Sequence, residues 1–109
     1  MIFVYGPPGA GKSTVGRGLA DALARPFVDA DAEIARRAGL AIPEIFAREG
    51  EAGFRAREAA VVTALLGEPD GVVALGGGAL LDEALRRRVE AAGPVICLAA
   101  PLAVLRARL

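Results

Sequence analysis

Lys12 and Ser13 are the only lysine and the only serine of the chain, and they stand side by side at the end of Gly6-Pro7-Pro8-Gly9-Ala10-Gly11. The octet fits the pattern G-x-x-x-x-G-K-[ST] in full. Each residue type has a physical task there. Glycines let the backbone curl so that successive N–H groups point inward, forming a concave anion site. A helix beginning near Ser13 adds the positive end of its dipole to the same spot. The Lys12 ammonium is a mobile charge able to reach β and γ phosphates, and the Ser13 hydroxyl is a hard oxygen ligand suited to magnesium. The bland alternative is a Gly/Pro turn joining strand to helix. The position of the loop, after an apolar run and before a helical one, favours a triphosphate cradle and phosphoryl transfer as its chemistry.

Three further groups fall where they could share a cleft with that loop. Asp29 and Asp31 follow a short apolar segment, so one carboxylate could lie near magnesium and one near an attacking hydroxyl. Asp31 could equally be a helix cap, a favoured use of aspartate. Arg55 and Arg57 are two residues apart and thus on different faces of a helix, and Glu58 is three residues from Arg55, close enough to orient it. A guanidinium held in that way presents a planar fork suited to a carboxylate, against the alternative of an ordinary exposed helix charge. Gly76-Gly77-Gly78 ends an apolar run, and three glycines in succession suggest close approach to the backbone rather than a loose loop. Arg86, Arg87 and Arg88 read as a solvated helix face without aromatic neighbours, and Cys97 as a core residue.

Composition excludes several alternatives. The 109 residues include no histidine, so a Ser-His-Asp triad and a zinc site built on His are out of reach. Thirteen basic and thirteen acidic residues cancel, leaving no whole-chain field to attract nucleic acid or a membrane surface. No apolar run approaches the roughly 20 residues of a membrane helix. A lone cysteine fits a reducing cytoplasm.

The elements that must position these groups alternate. Apolar runs at 2–5, 26–28, 71–75 and 95–98 read as buried strands; helical periodicity covers 13–24, 31–38, 43–48, 52–66 and 82–92, with a last helix from Pro101. Val15, Leu19, Ala20 and Leu23 form the inward face of the first helix, and Phe54, Val61, Val62 and Leu65 that of the long one. Alternation of this kind predicts an α/β fold with a parallel sheet. The purely helical stretch from about 31 to 66 looks like an insertion over the sheet's carboxyl edge, where such folds bind ligands.

Taken together, GPPGAGKST at 6–14, FVDADAEI at 27–34, AIPEIFAREGEAGFRARE at 41–58 and VVALGGGAL at 72–80 resemble the shikimate kinase family along essentially the whole chain. The resemblance implies a three-layer α/β/α P-loop kinase: residues 1–32 and 67–109 form the nucleotide-binding core, and 33–66 a helical shikimate-binding segment. It implies transfer of the ATP γ-phosphate to the 3-hydroxyl of shikimate, with Mg²⁺, in aromatic amino-acid biosynthesis. By the same resemblance Gly9, Ala10, Gly11, Lys12, Ser13, Thr14 and Arg108 hold ATP, with Lys12 also catalytic, while Ser13 and Asp29 serve the metal. Asp31 binds shikimate and accepts its proton, Arg55 pairs with its carboxylate, and Gly76, Gly77 and Gly78 complete the pocket. The family continues past the position of Leu109 into a lid, a fifth strand and a final helix. The expectation is therefore a truncated kinase, monomeric at full length, whose fourth strand is left as an edge open to association. Two alternatives stay open: another P-loop small-molecule kinase, and a nucleotide-binding module without turnover.

Overall fold

A computed structural model describes residues 1–6, 11–76 and 78–98. Within them the chain runs β1 (Ile2–Tyr5), α1 (Lys12–Leu23), β2 (Phe27–Asp29), α2 (Ala30–Ala38), α3 (Ile42–Leu66), β3 (Val72–Leu75), a 3₁₀ turn (Ala79–Leu81), α4 (Glu83–Ala92) and β4 (Val95–Cys97). The helix expected from Pro101 lies outside the described residues.

The four strands form one parallel sheet in the order β2-β3-β1-β4. Phe3 pairs with Val73 and with Val95, and Val28 pairs with Val73 from the other side. Successive side chains leave a strand on opposite faces, and both faces are covered. Phe3, Val73 and Leu75 pack with Ile34, Ile45, Phe54, Val62 and Val89, so α2, α3 and α4 share one side. Val4 and Val72 pack with Ala20, Val15 and Leu19 of α1 on the other. That two-sided burial explains why β1 and β3 are apolar throughout instead of alternating. The expected α/β architecture with helices on both faces of a parallel sheet is what the chain adopts.

Local signals set most boundaries. Asp82 caps α4 by accepting from the Leu85 amide at 3.1 Å, and Gly39 closes α2 in the left-handed region at φ 68°. Two expectations are sharpened and two need correction. The cap of α2 is Asp29, two residues before Asp31, for which the sequence leaves a capping role open: its Oδ1 accepts from the amides of Asp31 (3.0 Å) and Ala32 (3.3 Å). The helices expected at 43–48 and 52–66 are both present as the two parts of α3, which meet at a non-helical Gly50 (φ 71°, ψ −177°). Leu23 is exposed; it is the last residue of α1, which ends beside it at a left-handed Ala24. Cys97 is exposed as well; β4 is the outer strand of the described sheet, so its last residue has a neighbour on one side only.

Candidate active site

The carboxyl ends of three parallel strands meet at one edge of the sheet. β1 leads toward α1, β2 ends at Asp29, and β3 ends just before Gly76. Lys12 and Ser13, Asp29 and Asp31, and Gly76 and Gly78 stand at or after these three strand ends. Gly9, Ala10, Gly77 and Arg108 lie outside the described residues.

At the end of β1, Gly11 adopts φ 88° as the N-cap of α1, a conformation that favours glycine. Its carbonyl accepts from the Val15 amide at 2.9 Å. Among the described residues no side chain caps α1, and its first turn holds no acid. The amides at this helix start, and the Lys12 and Ser13 side chains beside them, are therefore left for an anion from outside the helix. Ser13 and Thr14 are exposed, and Lys12 is half-buried.

At the end of β2 the two aspartates divide the work. Asp29 spends Oδ1 on the α2 cap, which leaves Oδ2 outside the cap. Asp31, relieved of capping, turns Oδ1 into a buried position with no hydrogen-bond partner among the described residues. Its pKa is raised, chiefly because burial disfavours the charge and next because Asp29 is close; Lys12 and Arg55 partly oppose the shift. Those four groups are thus within electrostatic reach of one another.

Two glycines after β3 lie against side chains from α2 and α3. A Cβ on Gly76 would lie 2.7 Å from Asp31 Oδ1, and one on Gly78 would lie 2.5 Å from Arg55 Cζ. Only a residue without a side chain admits these approaches, which is the physical reason for glycine at both places. Arg55 projects from α3, with its guanidinium 5.3 Å from the Phe54 ring centroid. Its Nη1 donates to Glu58 Oε1 at 3.0 Å. Glu58 is 2% exposed, and its Oε2 has no hydrogen-bond partner among the described residues. Burial raises its pKa most; Arg55 lowers it and Asp31 raises it further. The expected Arg55–Glu58 orientation is thus present, with the glutamate as the buried member.

Beyond Arg55 a cleft of about 290 Å³ opens between α3, the 3₁₀ turn and α4, walled by Arg55, Glu58 and Gly78 together with Glu51, Leu81, Asp82 and Leu85. Leu81, Leu85 and Glu51 had no motif to mark them, since they enter the site only through the packing of α3 against the turn. Asp82 was legible as a helix cap but not as a cleft wall.

Among the described residues no group of three or more His, Cys, Asp or Glu side chains is arranged to hold a metal ion. Magnesium takes few protein ligands and keeps several waters beside substrate phosphates. The exposed Ser13 hydroxyl and the Asp29 oxygen outside the cap fit that mode.

Comparison with known proteins agrees on one family. A family model described as shikimate kinase matches residues 8–109. A shikimate kinase of Halorhodospira halophila is 55% identical over 103 residues, covering 94% of this chain and 58% of the relative. One of Acinetobacter baylyi is 48% identical over 101 residues, covering 93% and 56%. Among solved structures, the shikimate kinase from Acinetobacter baumannii in complex with shikimate superposes with a TM-score of 0.89 at 45% identity, over 98% of this chain and 60% of that one. The enzyme from Aquifex aeolicus gives 0.87 at 36% identity, over 95% and 62%. A gluconokinase from Sinorhizobium meliloti, 23% identical with a TM-score of 0.53, shares the fold alone. The chain spans a little over half the length of the curated relatives it matches.

Proposed function

The chain belongs to the shikimate kinase family, and we propose that it carries the nucleotide- and acceptor-binding machinery that transfers the γ-phosphate of ATP to the 3-hydroxyl of shikimate. The observation that carries this reading is the pairing of Asp31 with Gly76 and of Arg55 with Gly78. One short backbone segment holds a basic carboxylate and a guanidinium fork at the edge where α1 presents its open helix start.

In this reading Gly9 to Thr14 hold the triphosphate. The Lys12 ammonium follows the β and γ phosphates and offsets the charge that spreads over the transferring group. Arg55, oriented by Glu58, pairs with the shikimate carboxylate and fixes the ring. Asp31 binds the ring hydroxyls and takes the proton of the 3-hydroxyl, whose oxygen forms the new bond to Pγ while the bond from Pγ to the bridging oxygen breaks and ADP leaves. Desolvation suits Asp31 to that task, because a raised pKa makes it a stronger base than a solvated aspartate. Gly76, Gly77 and Gly78 complete the substrate pocket, and Arg108 serves the nucleotide. Ser13 directly, and Asp29 through water, would hold a magnesium ion that neutralises phosphate charge when ATP is bound.

The helical segment 33–66 is then the acceptor-binding unit and the remainder the nucleotide-binding core. No helix among the described residues is long and apolar enough to cross a membrane, and we place the reaction in the cytoplasm. The test is ADP formation with shikimate, AMP or gluconate offered as acceptor. Preference for shikimate supports the assignment. Equal use of the three, or ATP binding without turnover on any of them, overturns it.

A further inference from the structure

In a straight α-helix, residues eight apart are separated by about 12 Å along the axis, too far to stack rings or share a hydrogen bond. α3 makes both kinds of contact at that spacing. The rings of Phe46 and Phe54 stack with centroids 4.6 Å apart and planes inclined by 22°. Arg57 Nε and Nη2 donate to Glu49 Oε1 and Oε2, each at 2.7 Å.

Gly50 makes this possible. Its φ of 71° with ψ of −177° lies in a region essentially reserved for glycine, and it folds the first part of α3 back beside the second. Gly53 lets the parts close, since a Cβ there would overlap the Cβ of Glu49. Two clamps thus span the fold-back, one aromatic and one ionic, and Arg55 stands between the residues Phe54 and Arg57 that each clamp grips.

An ion pair this exposed would ordinarily count for little. The Glu49–Arg57 pair differs in being bidentate, which fixes direction as well as distance. Consistent with a made bond, Arg57 holds the Glu49 carboxyl below its usual range. Neither residue walls the cleft beside Arg55.

We propose that Glu49 and Arg57 are positioning residues, whose bidentate pair keeps the fold-back at Gly50 closed and so sets Arg55 where it meets the substrate carboxylate. This rests on the reading of Arg55 given under the proposed function.

The test compares the parent protein with Glu49→Gln and with the exchange variant Glu49→Arg/Arg57→Glu. Two readouts are taken: calorimetric titration with shikimate and with ATP, and ring-to-ring nuclear Overhauser effects between Phe46 and Phe54. Glu49→Gln is expected to weaken shikimate binding roughly fivefold, to leave ATP binding within about twofold, and to weaken the ring contacts. The exchange variant is expected to restore both. A Glu49→Gln variant with parental shikimate affinity and intact ring contacts overturns the proposal, even if it melts at a lower temperature. If the parent does not bind shikimate, the assignment of substrate fails, and the ring contacts alone decide: intact in Glu49→Gln they overturn the clamp, lost there and restored by the exchange they support it.

Discussion

Asp31 Oδ1 occupies the space that a side chain on Gly76 would enter, 2.7 Å from where its Cβ would be. That oxygen is buried and without a hydrogen-bond partner among the described residues. A carboxylate kept in this state holds unused acceptor capacity in a desolvated place, and a ligand hydroxyl can satisfy it. The glycine and the aspartate act as a unit although 45 positions separate them in the chain.

Gly76→Ala must therefore displace the Asp31 carboxylate. Denaturant unfolding is expected to show a loss of about 1–3 kcal/mol, the usual size of an overpacking penalty. Calorimetry with shikimate is expected to show binding lost beyond what that destabilisation explains. Parental affinity in a folded variant would contradict the assigned contact.

Asp31→Asn removes the base while preserving shape. Turnover measured as ADP release is expected to fall by roughly 10²–10⁴, the range for a positioned general base. ATP affinity is expected to remain near that of the parent, because the cradle at Gly11 to Thr14 is untouched.

Glu58 gives a pH test. Its folded pKa is raised above 4.5, with burial as the main cause. A raised value means that the stability it contributes is full below about 4.5 and is lost as pH rises through the folded pKa. Glu58→Gln carries no such charge. Its stability relative to the parent is expected to be constant at acid pH and to improve steadily as pH climbs above that range, read as denaturant midpoints across a pH series. A flat difference would show that Glu58 does not titrate in the fold as stated.

Lys12→Ala is expected to weaken ATP binding at least roughly tenfold, since a hydrogen bond to a charged group contributes about 1.5–3 kcal/mol. Shikimate binding is expected to persist. Loss of both would place Lys12 in the fold's stability instead of the phosphate site.

Two glycine substitutions should move stability in opposite directions. Gly50→Ala places a side chain at φ 71° with nothing within 4 Å of its Cβ, so only backbone strain acts, at about 1–3 kcal/mol. Gly18→Ala, in α1 and equally open, should stabilise by about 0.5–1 kcal/mol, because alanine loses less entropy in a helix. Urea midpoints measure both.

The sequence by itself determined whatever depends on short-range chemistry. The phosphate loop is a contiguous motif whose glycines, lysine and serine need only a strand before and a helix after. The four strands were readable because β1 and β3 are apolar on both faces, and the caps at Asp82 and Gly39 because capping is decided within one helical turn. The Arg55–Glu58 pair was readable for the same reason, being one turn apart on one helix.

Tertiary structure decided the rest. Asp29 and Asp31 both suit a cap by composition, and only the extended backbone at Asp29 (φ −91°, ψ 115°) selects it and frees the other carboxylate. Leu23 reads as buried from periodicity and Cys97 from its apolar run, yet one is the last residue of α1 and the other ends the outer strand; sequence pattern reports which way a side chain faces, not whether anything lies there. The contacts of Asp31 with Gly76, of Arg55 with Gly78, and of Glu49 with Arg57 across Gly50 join residues that no helical or strand period relates. Such contacts exist only once the parallel sheet has brought its strand ends to one edge and α3 has folded back upon itself.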